Sequence, residues 1–314
     1  MSCLEREVFG HEKLFTAWRK LILSGQLEGT FLFIGVPGIG KIKAAFAMIQ
    51  AALCEKNLGL ACGECGPCLR AQNRQHESLL HIQSSGAMIK VESAHEILQF
   101  CQLQSLSKKR FVLIEEAEKM NLQTANILLK TLEEPPRGTV FILTSSSSTS
   151  VISTIKSRSK VFKFNPVRPQ VMINQQLGPE WAVYASQGRF DRLQTLTDPQ
   201  NQILRKNALQ LLTQILISPH FLTDDQWRES LKSRDELKTY LELWLSLIRD
   251  VLYLQLNEQN SLVHADLKSE IVRIATFDSQ KLDWVFTQLL DLQKQLNFNK
   301  DAVLSLESLY IQSR

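Results

Sequence analysis

The stretch Phe31-Leu-Phe-Ile-Gly-Val-Pro-Gly-Ile-Gly-Lys41-Ile42 decides the fold. It begins as a short apolar run, continues as a glycine-rich segment and leads into a helical pattern from Lys43 to Leu53. A strand, a glycine-rich loop and a helix in this order predict a phosphate-binding loop, because backbone N–H groups and the helix N-terminus can meet phosphate oxygens there. The residues expected at the phosphates are Gly35, Gly38, Gly40 and Lys41.

Two further apolar runs extend this pattern along the first half of the chain. Phe111-Val-Leu-Ile114 and Val140-Phe-Ile-Leu-Thr144 predict buried parallel strands. Between them, the segment from Leu122 to Leu132 has apolar residues at helical spacing, and Pro135-Pro136 predict that the helix ends before them. Strands that alternate with helices predict an α/β fold with a parallel sheet.

The second half of the chain has a different pattern. Strand signals end at Asn165-Pro-Val-Arg-Pro169, and apolar residues then recur at helical spacing. These residues are Leu237, Leu241, Trp244, Ile248, Val251 and Leu252, followed by Val285, Leu289, Leu292 and Leu296. We predict three domains: an α/β nucleotide-binding-like domain in residues 1–165, a small helical domain in residues 166–217 and a C-terminal helical domain in residues 218–314.

Composition limits the classes of protein to which the chain can belong. The chain has 314 residues, of which 44% are hydrophobic and 22% charged, and this excludes a single small module and a wholly disordered chain. A net charge of +4 gives little support for a nucleic-acid surface. The start of the chain has no signal-peptide pattern, and the most apolar windows fall short of the ~20 residues of a membrane helix. We therefore expect a soluble, cytoplasmic protein without a membrane partner, whose cysteines are thiols or metal ligands.

The phosphate loop lacks the residues that usually bind magnesium. The position after the lysine should hold Ser or Thr, whose hydroxyl binds Mg²⁺, but Ile42 has no oxygen. The second strand should end in Asp followed by Glu, and here it ends in Glu115 and Glu116. We expect Mg²⁺ to be poorly bound. An active ATPase, an inert site that binds ATP or ADP, and a vestigial loop all remain open, and the last two together are favoured.

Four cysteines lie close together after the first helix. They occur in Cys54-Glu-Lys-Asn-Leu-Gly-Leu-Ala-Cys62-Gly-Glu-Cys65-Gly-Pro-Cys68, and glycines beside the last three permit a tight turn. Four thiolates suit one tetrahedral zinc ion with no open position, so we expect structural Zn²⁺ in residues 54–68. Free thiols, a redox pair and an iron–sulfur cluster are the alternatives. No histidine has a ligand partner at suitable spacing, so all six are expected to be structural or surface residues.

These motifs occur together with Leu128-Leu-Lys-Thr-Leu-Glu-Glu-Pro-Pro136 and with Ser157-Arg158-Ser159. In this order they resemble the bacterial DNA polymerase III clamp-loader subunits of the AAA+ class, most closely those of the delta-prime type. Weaker similarities to that family lie at both ends, in Val8-Phe-Gly-His11, in Trp244 with Arg249-Asp250-Val-Leu252, and in Leu296-Asn-Phe-Asn299. The resemblance implies an AAA+ domain followed by a lid domain and a collar domain.

The resemblance also implies roles for individual residues. In the family, a Ser-Arg-Cys motif supplies an arginine finger to the ATP site of a neighbouring subunit, and Arg158 occupies the position of that arginine, with Ser159 in place of cysteine. The sensor-1 position falls at Thr144 or Ser145. A sensor-2 arginine is expected between Gly188 and Arg192, with Arg192 as the candidate.

Three functions compete. The resemblance implies a non-hydrolysing stator of a hetero-oligomeric loader, which works with motor (gamma/tau) and delta subunits to place a sliding clamp on primed DNA. The alternative is a gamma/tau-type motor subunit that binds and hydrolyses ATP itself, using Lys41 and Glu115. The third is an independent zinc-containing nucleic-acid-binding protein, for which Ser107-Lys-Lys-Arg110 is the one short basic run.

Overall fold

The structure, a computed structural model, describes residues 4–5, 8–84, 88–102, 109–218, 221–223, 227, 231, 234–258, 262–295 and 302–312. Ser107, Lys108 and the segment Leu296–Asn299, which the sequence singles out, lie outside these residues. The chain divides into two compact units. The N-terminal unit comprises residues 1–175 and 187–191, and the C-terminal unit comprises residues 176–186 and 192–314.

The N-terminal unit alternates helices with five strands. Its elements are α1 (Glu12–Leu23), β1 (Gly29–Ile34), α2 (Lys41–Leu53), α3 (Gly66–Gln72), β2 (Leu79–Ile82), α4 (Val91–Gln102), β3 (Arg110–Ile114), α5 (Leu122–Glu133), β4 (Thr139–Ser145), α6 (Ser153–Ser157), β5 (Ser159–Lys163) and α7 (Pro169–Asn174). The strands form one sheet in the order β2-β3-β4-β1-β5, and every neighbouring pair is parallel. The carboxyl ends of β1, β3 and β4 therefore meet at one edge, where open parallel sheets place their ligand sites.

Both faces of the sheet are buried, which explains the uninterrupted apolar runs of its central strands. Successive side chains of a strand point to opposite faces. Phe31 and Phe33 of β1 accordingly pack in one core with Trp18 of α1, whose ring centroid lies 4.8 Å from that of Phe31. Leu32 packs on the other face, in a second core that includes Leu128 of α5.

Local sequence signals set both ends of α5. The side chain of Asn121 accepts a hydrogen bond from the backbone N–H of Thr124 at 2.7 Å and so caps the N-terminus of the helix. Glu133 is the last helical residue. The helix ends there because Pro135 follows closely, and proline cannot continue the backbone hydrogen bonds of a helix.

The C-terminal unit is helical in the residues that the structure describes. Its helices are α8 (Glu180–Ser186), α9 (Phe190–Thr197), which begins on residues of the N-terminal unit, α10 (Pro199–Ile217), α11 (Arg234–Gln255), α12 (Lys268–Ile274), α13 (Ser279–Gln295) and α14 (Ala302–Gln312). Trp244 of α11 is fully buried, and its indole N–H donates to the carbonyl of Ala208 in α10 at 2.9 Å. These two helices thus share one core.

The predicted strands and the helix Leu122–Leu132 are present, and the predicted α/β fold with a helical second half is confirmed. The division into three domains stays a prediction. None of the helices in the described residues combines the length and apolar character that a membrane crossing requires.

Candidate functional site

The glycine-rich loop joins β1 to α2 in a backbone conformation that depends on glycine. Gly38 and Gly40 have φ angles of 76° and 92°, a region that residues with a Cβ rarely adopt. The ring of the buried residue His11 fixes the loop, because its Nε2–H donates to the carbonyl of Ile39 at 2.9 Å. Burial lowers the pKa of His11, which keeps the ring neutral.

Lys41 begins α2 and turns its ammonium group back onto the loop. Its Nζ donates to the carbonyl of Gly35 at 2.5 Å and to that of Val36 at 2.9 Å. Burial lowers the pKa of Lys41, while the negative charges of Glu118 and Asp191 act in the opposite direction. The lysine that the sequence assigns to the outer phosphates is therefore held by the loop itself.

Of the two positions that should bind magnesium, one has no oxygen and the other has a carboxylate that is hydrogen-bonded within the chain. Ile42 is a partly buried apolar residue that packs against the core. Glu115 follows β3, and its Oε1 accepts hydrogen bonds from Nε2 of His81 in β2 at 2.6 Å and from Nε2 of Gln83 at 3.2 Å. Burial alone would raise the pKa of Glu115, but the bonds from His81 and Gln83 outweigh it and lower the pKa. The carboxylate is thus charged and already bonded.

Glu116 and Thr144 lie next to each other, as expected of residues at the ends of adjacent strands. The backbone N–H of Glu116 donates to the hydroxyl of Thr144 at 3.2 Å. The Glu116 carboxylate forms an ion pair with Lys119 at 2.7 Å and accepts from the hydroxyl of Ser84 at 3.2 Å. Glu116 and the candidate sensor-1 residue Thr144 therefore bond to each other, and Glu116 also bonds to its neighbours.

Sequence reasoning missed Glu118, which lies in the turn after β3. Its Oε1 accepts from the backbone N–H and the hydroxyl of Ser146, at 2.9 and 2.6 Å, and so links β3 to the loop after β4. Burial alone would raise the pKa of Glu118, but the hydrogen bonds from Ser146 outweigh burial, so the pKa is lowered. No simple motif signals this residue, since its role depends on where the β4 loop lies.

The sensor-2 arginine stays a prediction. The hypothesis favours Arg192, which belongs to the C-terminal unit. Within the N-terminal unit, the structure instead brings the carboxylate of Asp191 against Gly38 of the glycine-rich loop.

The four cysteines of residues 54–68 come together as predicted. Their sulfur atoms all lie within 4.8 Å of one another, with Cys54 and Cys65 4.0 Å apart and Cys62 and Cys68 3.9 Å apart. Sulfurs bound at about 2.3 Å to one tetrahedral ion would be about 3.8 Å apart, so the arrangement fits a metal ion.

Backbone N–H groups donate hydrogen bonds to two of the cysteine sulfurs. The N–H of Asn57 and that of Cys62 donate to Sγ of Cys54 at 3.1 and 3.3 Å. Hydrogen bonds from the N–H groups of Glu64 and Cys65 lower the pKa of Cys62 to about 6. Because a thiolate is the form that binds metal, these contacts favour metal binding by Cys62.

Arg158 lies at the surface immediately after α6, and 31% of its side chain is exposed. Its guanidinium donates to the carbonyl of Thr154 at 3.1 Å and forms an ion pair with α5. Ser159, where the family pattern has cysteine, donates its hydroxyl to the carbonyl of Ile155 at 2.7 Å and begins β5.

Comparisons with known proteins agree with this architecture. A family model described as "DNA polymerase III, delta subunit" matches residues 10–168. The DNA polymerase III subunit delta' of Bacillus subtilis is 25% identical over 300 residues, which cover 91% of this chain and 91% of that protein. The DNA polymerase III subunit delta' of Pseudomonas aeruginosa is 35% identical over 145 residues, which cover 45% of this chain and 44% of that protein.

A solved structure matches the fold. A DNA polymerase III gamma subunit-related protein from Thermotoga maritima has a TM-score of 0.57 and 16% identity, and the match covers 96% of this chain and 98% of that chain. The AAA+ fold and the resemblance to delta-prime-type clamp-loader subunits are thereby confirmed. The chain belongs to the DNA polymerase III delta subunit family and is a clamp-loader subunit of DNA polymerase III.

Proposed function

We propose that this chain is a delta-prime-type stator, a subunit that does not hydrolyse ATP and that donates Arg158 to the ATP site of a neighbouring motor subunit. The observation that carries the proposal concerns the residues at the two positions that should bind Mg²⁺. Ile42 has no oxygen, and the Glu115 carboxylate is hydrogen-bonded to His81 and Gln83. Hydrolysis depends on Mg²⁺ that neutralises the charge developing on the transferred phosphoryl group.

Arg158 can act on a neighbour although the chain's own site is inert. A guanidinium supplied in trans stabilises phosphoryl-transfer charge and raises the rate by roughly a thousandfold or more in other ATPases and GTPases. The partly exposed side chain of Arg158 suits such a role. The relation to the delta' protein of Bacillus subtilis, which extends over most of both chains, also supports the stator.

The cysteine cluster is proposed to hold structural zinc. Its four sulfur donors leave no open coordination position, so the ion would stabilise the segment between α2 and α3 and would not take part in catalysis. The partners follow from the family: motor (gamma/tau) and delta subunits in one hetero-oligomer, the sliding clamp, and primed DNA through the complex. DNA replication places this work in the cytoplasm.

A gamma/tau-type motor is the second candidate. Lys41, Gly38 and Gly40 are all present, and the fold matches that of a gamma subunit-related protein. Steady-state ATP hydrolysis by the purified chain with Mg²⁺ separates the two functions. The stator hydrolyses no more ATP than its Lys41→Ala variant, whereas turnover that the Lys41→Ala substitution abolishes would establish the motor.

A further inference from the structure

The outer strand β5 leaves one side of the sheet without a partner strand. It is the last strand in the order β2-β3-β4-β1-β5 and pairs with β1. The N–H of Phe164, directly after β5, donates to the carbonyl of Ile34 in β1 at 2.7 Å. Because the backbone groups of successive residues point to alternate sides of a strand, those of Val161 and Lys163 point away from β1. No strand or side chain in the described part of the chain bonds them.

This side of β5, which we name the open edge, is accessible to solvent. Val161 is 39% exposed although it is apolar, and Lys160 and Lys163 are exposed as well. The central strands β1, β3 and β4 are buried almost throughout, so the exposure distinguishes β5 from them. A strand with unpaired N–H and C=O groups can bind a further strand through main-chain hydrogen bonds.

The segment that forms the open edge is strongly basic. Residues 153–168 contain no acidic residue and five basic ones, namely Lys156, Arg158, Lys160, Lys163 and Arg168. Of these five, Arg158 forms an ion pair, and the other four form none with the residues that the structure describes. The edge therefore carries positive charge that the chain itself leaves without an ion-pair partner.

The lysines lie on both faces of the sheet beside the open edge. The Nζ of Lys160 lies 5.4 Å from the centroid of the Phe31 ring and donates to the carbonyl of Glu28 at 3.2 Å. Lys163 is three residues further along β5, so its side chain belongs to the opposite face. An added strand would thus meet a positive charge on each of its own two faces.

This charge determines which kind of strand fits. Two copies of this edge would bring lysines against lysines, and like charges on paired strands are destabilising. Acidic side chains would instead face Lys160 and Lys163. A nucleic acid would match the charge but could not donate along the edge to the carbonyls of Val161 and Lys163 as a strand does. The observations together favour an acidic peptide.

We propose that β5 is a docking edge for a partner protein, whose extended acidic segment of about five residues adds to the sheet as a further strand. The inference goes beyond the proposed function, which assigns no role to this edge. It rests on the backbone groups of Val161 and Lys163 and on the charge of the lysines, and it does not depend on the role of Arg158.

Binding is measured by fluorescence anisotropy with the purified chain and a fluorescein-labelled peptide, Glu-Val-Thr-Glu-Val-Thr-Glu. Its glutamates are three residues apart, as Lys160 and Lys163 are. A second peptide has proline in place of valine, which keeps the charge but removes N–H donors. Oligothymidylate of ten nucleotides is the nucleic-acid probe. We expect the first peptide to bind at least about tenfold more tightly than either of the other two.

Variants of the chain separate charge from backbone pairing. Lys160→Glu with Lys163→Glu should weaken peptide binding at least about tenfold, whereas Lys13→Glu with Lys20→Glu, which reverses two exposed charges on α1, should change it less than about twofold. Val161→Pro keeps every charge but removes an outward N–H, which an edge strand tolerates, and should also weaken binding at least about tenfold. Circular dichroism checks that each variant is folded.

Hydrogen exchange followed by mass spectrometry reports on the pairing itself. The peptide should protect the amides of residues 159–163, and oligothymidylate should not. The proposal is overturned if the peptide does not bind saturably up to about 1 mM. It is also overturned if Val161→Pro binds as tightly as the unmodified chain, or if oligothymidylate binds as tightly as the peptide, which would make the edge a nucleic-acid surface.

Discussion

The carboxylate of Glu133 and the guanidinium of Arg158 form an ion pair, with Oε2 of Glu133 2.9 Å from Nε of Arg158. Glu133 ends α5, and Arg158 follows α6, so two helices bring the pair together. The carbonyl of Thr154 accepts from Nη1 at 3.1 Å. Among the described residues, no hydrogen bond uses Nη2 of Arg158, which leaves N–H donors for a phosphate.

This geometry predicts that Glu133 positions the arginine. Glu133→Ala should lower the ATP turnover that this chain adds to the motor subunits by up to about fivefold, since an exposed ion pair contributes at most about 1 kcal/mol. The Michaelis constant for ATP should stay unchanged because Glu133 does not touch the nucleotide. Glu133→Gln keeps an oxygen acceptor and should lose less.

The neighbouring residue provides the control for this prediction. Glu134 is exposed, and its side chain makes no hydrogen bond to the residues that the structure describes, so Glu134→Ala should leave turnover unchanged. Adding Glu133→Ala to Arg158→Ala should cause no further loss. An additive loss in the double variant would mean that Glu133 acts independently of the arginine.

A second prediction concerns the cysteine cluster. Cys65→Ser removes one of four sulfur donors, so zinc content should fall from about one ion per chain to near zero, and the N-terminal unit should unfold at a lower temperature. Metal analysis and thermal unfolding measure the two effects. Cys101→Ser, at a buried cysteine of α4 outside the cluster, should keep the ion. Full zinc content in Cys65→Ser would refute the four-sulfur site.

A third prediction follows from a buried histidine in the C-terminal unit. Arg205 donates from Nε to Nδ1 of His264 at 3.0 Å, and the histidine is 2% exposed. Burial, reinforced by the positive charge of Arg205, lowers the pKa of His264 to about 3. The folded chain therefore binds fewer protons here than the unfolded chain between pH 6.5, the ordinary value, and about 3.

Stability should accordingly fall as the pH is lowered through this window, with His264 contributing up to about 1.4 kcal/mol per pH unit. His264→Asn keeps an acceptor for Arg205 but cannot be protonated, so its unfolding free energy should depend less steeply on pH. Urea unfolding of both proteins at pH 7, 6, 5 and about 4 compares the slopes. Equal slopes would show that the histidine does not titrate as its surroundings suggest.

The sequence predicts the elements whose signal is local. One short segment predicts three elements: the strand of Phe31, the loop with Lys41 and the helix after it. Each is predictable because apolar runs, glycines and helical spacing act on the local backbone directly. The cysteine cluster is predictable for a similar reason, since Cys62, Cys65 and Cys68 are close in the chain and their spacing suits a single metal ion.

Contacts between distant segments are harder to predict. Asp191 lies on Gly38 because the chain returns to the loop after all five strands, and no spacing in the sequence indicates that return. The bond between His81 and Glu115 depends on β2, a strand of only four residues, standing next to β3. In both contacts, a residue to which the sequence analysis assigns no role, Asp191 or His81, meets a residue of the candidate site.

The stator function is tested most directly by ATP turnover in a mixture of motor subunits and this chain, compared with the same mixture containing Arg158→Ala. Size-exclusion chromatography first establishes that both forms assemble equally well. We predict that the turnover added by this chain falls at least about tenfold in Arg158→Ala, while the chain alone hydrolyses no ATP. Unchanged turnover in a fully assembled Arg158→Ala complex would contradict the account.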